Sequence, residues 1–337
     1  MTNNLQLPNM SALCSNKVVL FLVLPMAAYL FAVLPAVPNA PATQSPAYLE
    51  YLQGIRMQNP ARAVEKHSFL VIGGTGFTGG VIVDDLLARN AKHVRVISRK
   101  LPSAAKRKDG VEYVSGSITN LTALTRAMKG ITAVYHTAAA YGNPPHGRFG
   151  NYKESAPYKV NVGGMENILK ACETSESVQL LVYTSGMHTT FVPGKNQYDV
   201  DGYTVPYNEG HHDFYSKSKI EAEKLCLGHD KPGKLRTIAL RPSGIYGPQE
   251  NYFIPKIINM FYKYGKYVPV YFDKDEIFEF TFVYNIAWGH DLAIQALEQL
   301  NDEGDGPSPF GQAFYLTDQE VCKRATLSPS MPMAMHS

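Results

Sequence analysis

Apolar runs of strand length alternate with segments of helical periodicity from residue 67 onward. The first run, Ser68–Ile72, has the length of a buried strand, and Phe77–Ala88 behind it places apolar residues at helical spacing. A second strand at His93–Ile97 completes a β-α-β unit. Three more strands are predicted downstream, at Val111–Val114, Ala133–His136 and Gln179–Tyr183. This order predicts an α/β fold with a doubly wound parallel sheet.

A charge-free stretch precedes this fold, because no acidic or basic residue occurs between Lys17 and Glu50. Within it, residues 18–37 form an apolar run that, as a helix rising about 1.5 Å per residue, spans about 30 Å, the thickness of a bilayer core. We therefore predict a single N-terminal transmembrane helix. A cleaved signal peptide and a buried or poorly ordered segment are the alternatives, and Pro25 and Pro35 would kink or end the helix.

Glycines fill the connection between the first strand and the first helix. Gly73 suits a tight turn, Gly76 leaves room for a pyrophosphate against the backbone, and Gly79 allows close packing of helix on strand. Phe77 and Thr78 begin the helix, whose N-terminus attracts phosphate. The order of strand, glycine turn and helix predicts a Rossmann domain that binds a dinucleotide.

The end of the second strand bears on which dinucleotide is bound. Ser98, Arg99 and Lys100 stand where a carboxylate would accept hydrogen bonds from the adenosine ribose of NAD. No acid is present, and two cations could meet a 2′-phosphate. NADP is therefore preferred over NAD, unless Arg99 and Lys100 are solvated loop charges.

A second group of polar residues points to catalysis. Ser185 ends the fifth strand, and Tyr215 and Lys219 are four residues apart at the head of a helical segment, hence on one helical face. A nearby ammonium stabilises a phenolate and so lowers the pKa of a phenol. We expect Tyr215 to shuttle the proton of an alcohol while a nicotinamide takes or gives hydride.

Six motifs together carry a resemblance to a known family. They are Gly73–Gly79, Val134–Ala140, Asn161–Gly164, Val182–Ser185, Tyr215–Lys219 and Leu240–Pro248. In this order they resemble an extended short-chain dehydrogenase/reductase. The segments Phe280–Val283 and Ala287–Leu297 resemble the branch of 3β-hydroxysteroid dehydrogenases and sterol-4α-carboxylate 3-dehydrogenases.

The resemblance implies roles for individual residues. Tyr215 would be the acid/base, Lys219 would lower its pKa and hold the nicotinamide ribose, and Asn161 would support the proton relay. The second serine that the family has at its strand end falls on Gly186, so that Ser185, Thr189 or Thr190 would replace it. Further cofactor contacts are expected from Ser117, Ile118, Thr137, Ala138, Ala139, Pro242 and Ser243. Ser117 and Tyr284 stand where the family commonly has aspartates.

Charge and cysteine spacing exclude several other classes of function. The net charge is +3, and no basic block is longer than Lys106–Lys108, so nucleic acid is not an expected partner. The four cysteines are far apart and His211 and His212 are adjacent without a spaced partner, so no metal site or disulfide framework is predicted.

The sequence thus predicts three parts: an anchor and linker at residues 1–66, a nucleotide-binding domain with a smaller substrate lobe at residues 67–318, and an irregular tail at residues 319–337. The aromatic stretch Tyr252–Phe282 is either ordinary core or, given its position downstream of the nucleotide unit, the lining of an apolar substrate pocket in that lobe. We expect an NAD(P)-dependent oxidoreductase acting on an alcohol or ketone of a sterol-like substrate. It would be held at the endoplasmic reticulum membrane with a cytosolic catalytic domain, and a homodimer is compatible with this. The alternatives are a sugar epimerase or dehydratase of the same superfamily and a nucleotide-binding protein without turnover.

Overall fold

A computed structural model describes residues 62–142, 151–192, 195, 197, 202, 205–250, 255, 259, 262–263, 277–299, 308–318 and 322–323. They belong to two compact units. The larger unit holds the described residues up to 249 and those from 279 to 318, and the smaller unit holds the others.

Eleven strands are described, in chain order: β1 Ser68–Ile72, β2 His93–Ser98, β3 Val111–Ser115, β4 Ala133–His136, β5 Leu180–Thr184, β6 Arg236–Pro242, β7 Gly244–Tyr246, β8 Ile277–Phe278, β9 Phe280–Phe282, β10 Gln312–Leu316 and β11 Cys322–Lys323. Seven of them form one parallel sheet in the larger unit, with the order β3-β2-β1-β4-β5-β6-β10. Strands β7 and β9 form a parallel pair in the same unit. In the smaller unit, β8 and β11 pair antiparallel.

The described helices are α1 Arg62–Lys66, α2 Phe77–Ala88, α3 Leu121–Ala127, α4 Gly163–Thr174, α5 Phe214–Leu227 and α6 Val283–Gln299. A π-helical turn at Tyr158–Val162 leads into α4, and a 3-10 turn at Met187–Thr189 follows β5. Helix α1 lies within the stretch predicted to be linker, and its Val64 is buried in the core. The packed part of the chain therefore begins before residue 67.

Two apolar cores lie on opposite faces of the sheet, because successive strand residues point to opposite sides. Phe69 and Val71 of β1 belong to one core, which also contains residues of α2 and α6. Leu70 and Ile72 belong to the other, with residues of α3, α4 and α5. Burial on both faces explains why β1 is an unbroken apolar run, and it confirms the predicted doubly wound sheet.

The strand order reverses between β1 and β4, the two neighbours at the centre of the sheet. In open parallel sheets, ligands bind at the carboxyl ends of the strands beside such a switch point. The glycine turn after β1 and the small residues after β4 both stand at this edge. The topology therefore predicts a ligand site at the same residues for which the sequence predicts cofactor contacts.

Most predicted elements of the sheet are confirmed, with shifts of a residue or two at strand ends. Strand β5 runs from Leu180 to Thr184, one residue later than predicted, and β2 extends through Ser98. The predicted membrane helix at residues 18–37 and most of the aromatic stretch 252–282 lie outside the described residues. Among the helices that are described, none is both long and apolar enough to cross a bilayer.

Candidate active site

The glycine turn between β1 and α2 is closed by its own backbone. Gly73 has a φ of +94°, in the left-handed region, and its carbonyl oxygen accepts a hydrogen bond of 2.9 Å from the Gly76 N–H. A Cβ on Gly79 would lie 2.3 Å from the Gly73 oxygen, so only glycine allows α2 to approach the turn this closely. The sequence assigned both residues these roles for the same reason.

Gly76 serves the turn differently. It is the N-cap of α2, no side chain caps the helix there, and the first turn contains no acidic residue. Among the described residues, a Cβ on Gly76 would come within 4 Å of the Gly73 oxygen alone, at 3.2 Å, so little crowds the backbone at the start of α2. Uncapped N–H groups with the positive end of a helix dipole form a site for an anion. These residues fit the pyrophosphate of a dinucleotide.

The end of β2 adjoins this turn. The hydroxyls of Thr75 and Ser98 are 3.2 Å apart, and Ser98 Oγ also donates to the carbonyl oxygen of Lys100 at 2.9 Å. The side chains of Arg99 and Lys100 are exposed. Two cations therefore follow the carboxyl end of β2, beside the glycine turn, where the ribose of a bound dinucleotide would lie.

The residues after β4 are held against β1 and α5. The N–H groups of Thr137 and Ala138 both donate to the Ile72 oxygen, at 2.9 and 3.1 Å. Asn161, in the π-helical turn, accepts from Ala140 N at 2.7 Å, and its amide donates to Ala140 O and to Ser218 Oγ. The carboxamide of Asn161 thus positions the segment that contains Ala138 and Ala139.

Other predicted cofactor contacts lie at the ends of neighbouring strands. Ser117 forms a local turn, in which its hydroxyl bonds Thr119, and Ile118 is buried beside Gly164 of α4. Pro242 ends β6. The Ser243 N–H donates to Thr281 Oγ1 at 2.9 Å, and its hydroxyl donates to the carbonyl oxygen of Glu279.

Tyr215 is the first-turn phenol of α5, whose N-cap Asp213 accepts a hydrogen bond from Ser216 N at 2.7 Å. The Tyr215 ring contacts two other rings. Tyr141 stacks on it with ring centroids 4.4 Å apart, and the His188 centroid lies 4.9 Å away with an angle of 32° between the ring planes. Burial, followed by the neighbouring Tyr141, raises the pKa of Tyr215 well above its ordinary value.

Lys219 lies one helical turn further along α5 and is buried. Its ammonium donates to the carbonyl oxygen of Thr184 at 2.7 Å and lies 4.2 Å from the centre of the Tyr183 ring. Burial lowers the pKa of Lys219 to about 7, although the carboxylate of Glu223 opposes this shift. A lysine with this pKa exchanges its proton near neutral pH.

The expected lowering of the Tyr215 pKa by Lys219 is not seen in this arrangement. The ammonium donates to the Thr184 oxygen, and desolvation of the phenol dominates, so that the pKa of Tyr215 is raised.

The three residues predicted to replace the missing strand-end serine differ in their hydrogen bonds. Thr189 and Thr190 direct their hydroxyls to the carbonyl oxygens of Gly186 and Met187. Ser185 Oγ is buried and has no hydrogen-bond partner within the part of the chain that the structure describes.

Sequence reasoning missed several residues that shape the site. Asp318, after β10, accepts hydrogen bonds from Phe282 N and Asn285 Nδ2 and so fixes the start of α6. Glu223 and Arg241 form a buried ion pair, at 2.5 Å, between α5 and β6. His188 was not singled out, because a histidine two residues after Gly186 has no spacing signal of its own. Only the fold shows that its ring contacts Tyr215.

The described residues contain no cluster of three or more His, Cys, Asp or Glu side chains that could bind a metal ion. His211 and Asp213 approach within 3.7 Å, and the other nitrogen of His211 lies 2.5 Å from the carbonyl oxygen of His188. The His211 side chain thus fixes a backbone turn beside the site.

Comparison with solved structures identifies the same architecture. The chain aligns with MoeE5 in complex with UDP-glucose and NAD, at a TM-score of 0.57 and 22% identity, over 77% of this chain and 79% of that one. The Bordetella bronchiseptica enzyme WbmG, in complex with NAD, aligns at a TM-score of 0.58 and 20% identity, over 77% and 75% of the two chains. At these identities the likeness shows the fold.

Sequence comparison is more specific. The sterol-4-alpha-carboxylate 3-dehydrogenase, decarboxylating, of Bos taurus is 34% identical over 254 residues, which are 74% of this chain and 65% of that protein. The 3 beta-hydroxysteroid dehydrogenase/Delta 5-->4-isomerase of Mycobacterium tuberculosis is 31% identical over 265 residues, 79% of this chain and 68% of that protein. The chain thus spans just under two thirds of the first of these relatives.

A family model, that of the 3-beta hydroxysteroid dehydrogenase/isomerase family, matches residues 70–328. This range contains the glycine turn after Gly73, the residues that follow β4, and the Tyr215 and Lys219 pair on α5. The predicted resemblance is thereby confirmed, and the chain belongs to the 3-beta hydroxysteroid dehydrogenase/isomerase family.

Proposed function

We propose that this protein is an NAD(P)-dependent dehydrogenase that acts on the alcohol or ketone of a sterol-like substrate. One observation carries the proposal. Lys219 reaches the carboxyl end of β5 through Thr184, and this contact seats the Tyr215 face of α5 at the edge of the sheet that contains the glycine turn. An acid/base pair and a dinucleotide site then face one cleft.

The chemistry follows from the protonation state of each group. When bound, the nicotinamide supplies or accepts the hydride. Tyr215 is kept protonated by burial, and so it is prepared to donate its proton to a ketone oxygen as the carbon is reduced. The reverse reaction begins from the Tyr215 phenolate, whose oxygen takes the alcohol proton as the carbon gives up hydride. Protonated Lys219 has three N–H groups, of which one is donated to Thr184, and the others would bind the nicotinamide ribose.

The substrate class rests on the relatives. The names of the Bos taurus and Mycobacterium tuberculosis proteins specify sterol and hydroxysteroid substrates, and the two proteins align over 74% and 79% of this chain. A sterol offers one polar oxygen on a large apolar body, so its recognition requires an apolar pocket with few polar groups. The aromatic residues predicted in the substrate lobe support this choice.

For the cofactor, we favour NADP over NAD. Ser98 is not a carboxylate, and the exposed Arg99 and Lys100 follow it at the end of β2. A guanidinium binds a phosphate through paired, charge-assisted hydrogen bonds. The adenosine 2′-phosphate, which NAD lacks, would be the group so bound.

The direct test is cofactor consumption by the purified full-length protein. NADP and NAD are each supplied with cholesterol or with UDP-glucose, and NADPH and NADH are each supplied with cholestanone for the reverse direction. We expect turnover of the sterol and none of the nucleotide sugar. Turnover of UDP-glucose alone would instead support a sugar-modifying enzyme. Binding of NADPH without turnover of any alcohol or ketone would indicate a nucleotide-binding protein.

Attachment to the membrane forms part of the same proposal. The apolar run at residues 18–37 is long enough to span a bilayer, and this sequence argument is its support. We place the protein at the endoplasmic reticulum with the catalytic domain in the cytosol, where reduced nicotinamide cofactors are available. The homodimer stays a prediction.

A further inference from the structure

The imidazole of His188 occupies the space that a side chain at residue 186 would need. A Cβ built on Gly186 would lie 2.4 Å from His188 Cε1 and 2.6 Å from its Nδ1. Gly186 itself has extended backbone, with a φ of 176°, so its missing side chain is a matter of space rather than of backbone strain. Only glycine at residue 186 admits this ring position.

The backbone on both sides of the His188 ring is held by hydrogen bonds, and the ring packs against that of the proposed acid/base. The carbonyl oxygen of His188 lies 2.5 Å from His211 Nε2, and both the N–H and the hydroxyl of Thr189 donate to the carbonyl oxygen of Gly186. The ring is 4.9 Å from that of Tyr215. Its Nε2 is shielded from solvent and has no hydrogen-bond partner among the described residues. A buried polar atom without a partner is costly, and a catalytic role is one of the explanations for it in a folded protein.

We infer that His188 is a catalytic residue that donates a hydrogen bond from Nε2–H to the reacting oxygen of the substrate, beside Tyr215. This inference rests on the proposed function. It assigns to a histidine the position that a hydroxyl at residue 186 would otherwise take.

A neutral imidazole suits this role, because it has one N–H to donate. Burial, and next the charge of Lys219, lower the pKa of His188 to about 3. The groups that face it are Tyr215, Lys219 and Asp213 from α5 and its cap, and His211 from the preceding loop. Asp213 alone among these favours the charged form. His188 therefore stays neutral across the range in which the enzyme works, and its N–H stabilises negative charge on the oxygen as the proton leaves for Tyr215.

The test removes the imidazole at residue 188 and adds a hydroxyl at residue 186, first separately and then together. In His188→Ala we expect turnover of cholesterol to fall by about 10²-fold, the loss typical of one donor to a developing oxyanion. NADPH affinity should stay within about twofold, because the imidazole contacts substrate rather than cofactor. Gly186→Ser alone should also be slow, because its Cβ displaces the ring. The double variant Gly186→Ser/His188→Ala has space for the hydroxyl and should recover at least about tenfold over His188→Ala.

Two controls separate chemistry from folding. His93→Ala removes a histidine at the opposite end of the sheet and should turn over as wild type does. His188→Gln retains an N–H donor and most of the volume, so it should be faster than His188→Ala at an equal unfolding temperature. Undiminished turnover in His188→Ala, or no recovery in a folded double variant, would overturn the inference.

A measurement without turnover distinguishes failure of this inference from failure of the proposed function. Nitrogen NMR of ¹⁵N-histidine-labelled protein, assigned with His188→Gln, should show His188 as the neutral Nε2–H tautomer from about pH 8 down to about pH 5. The Nδ1–H tautomer, or protonation above about pH 5, would reject the role of His188 even if cholesterol is oxidised. Absence of turnover by wild-type protein in the presence of the expected tautomer would instead count against the proposed function.

Discussion

The ammonium of Lys219 donates a hydrogen bond to the carbonyl oxygen of Thr184, 2.7 Å away at the carboxyl end of β5. The hydroxyl of Thr184 lies 3.1 Å from Nε2 of His290 on α6, and the His290 ring is itself tied to the Ile286 oxygen. One strand-end residue thus links α5 on one face of the sheet to α6 on the other. Lys219 is buried at this position, and burial lowers its pKa.

Replacing Lys219 with methionine should change how stability depends on pH. The pKa of Lys219 is about 7 in the folded protein, below its ordinary value of 10.5. Between these values the unfolded chain binds the extra proton, so this residue makes the free energy of unfolding rise with pH above about 7, by up to about 1.4 kcal/mol per pH unit. Below about pH 7 its contribution is constant. Denaturant titrations of both proteins from about pH 6 to about pH 9 measure the difference.

The difference in stability between wild type and Lys219→Met isolates the titration of Lys219, because the contributions of other titrating groups cancel. Burial raises the pKa of Cys172 and Cys226, and both thiols reduce stability as the pH rises through the ordinary thiol range. They are present in both proteins and cancel in the difference. Parallel stability curves for wild type and Lys219→Met would show that Lys219 does not titrate as described.

Tyr215→Phe tests the acid/base. The ring and its stacking against Tyr141 and His188 remain, whereas the transferable proton is lost. We expect turnover of cholesterol to fall by about 10²-fold or more with nearly unchanged NADPH affinity. Stopped-flow and equilibrium fluorescence measure the two quantities. Wild-type turnover in this variant would remove Tyr215 from the mechanism.

Replacing Gly76 and Gly80 separately with alanine should distinguish an effect on NADPH binding from an effect on folding. Gly76→Ala adds a methyl group that meets only the Gly73 oxygen at 3.2 Å, so the fold should persist while the methyl occupies the pyrophosphate space. We expect NADPH affinity to fall by about tenfold or more, equivalent to about 1.4 kcal/mol.

The matched control for Gly76 is Gly80→Ala, one turn further along α2. A Cβ there meets its nearest atoms only at 3.9 Å, so affinity should be unchanged and stability should rise by up to about 1 kcal/mol, because alanine favours the helix. Equal NADPH affinity in both variants would exclude the turn as the phosphate site.

Arg99→Ala tests the choice of cofactor. Loss of a charge-assisted contact to a phosphate should weaken NADPH by about tenfold and leave NADH unaffected. Lys92→Ala, an exposed cation that precedes β2 at the other edge of the sheet, is the control. Ser98→Asp should shift preference toward NADH, because a carboxylate accepts from the ribose hydroxyls and repels a phosphate. Loss of both cofactors in Arg99→Ala would argue against a contact to the 2′-phosphate.

Deletion of residues 1–60 tests the membrane anchor. The first described strand begins at Ser68 and α1 at Arg62, so the dinucleotide unit is retained. We expect the truncated protein to leave the membrane fraction and still bind NADPH. Full-length protein that washes off in carbonate, or truncated protein that stays bound, would disprove the anchor.

The order of elements was determined by the sequence itself, because hydrophobic periodicity and turn glycines are local properties. The run Ser68–Ile72 and the helical pattern Phe77–Ala88 have the predicted bounds in the structure. The placement of Tyr215 and Lys219 on one face of α5 likewise follows from helical spacing. Sequence determined the strand ends less well. The bounds of β5 differ from the predicted ones by one residue, because they depend on contacts with neighbouring strands rather than on its own composition.

Tertiary structure alone decided how the site is protonated and which side chains complete it. Burial, which spacing does not reveal, raises the pKa of Tyr215 and lowers that of Lys219. Asp318 fixes the start of α6 from the far side of a long connection. The ring of His188 fills the space at Gly186 because a backbone turn folds it there. These features depend on three-dimensional packing, whereas the sequence pattern records only which residues are near one another along the chain.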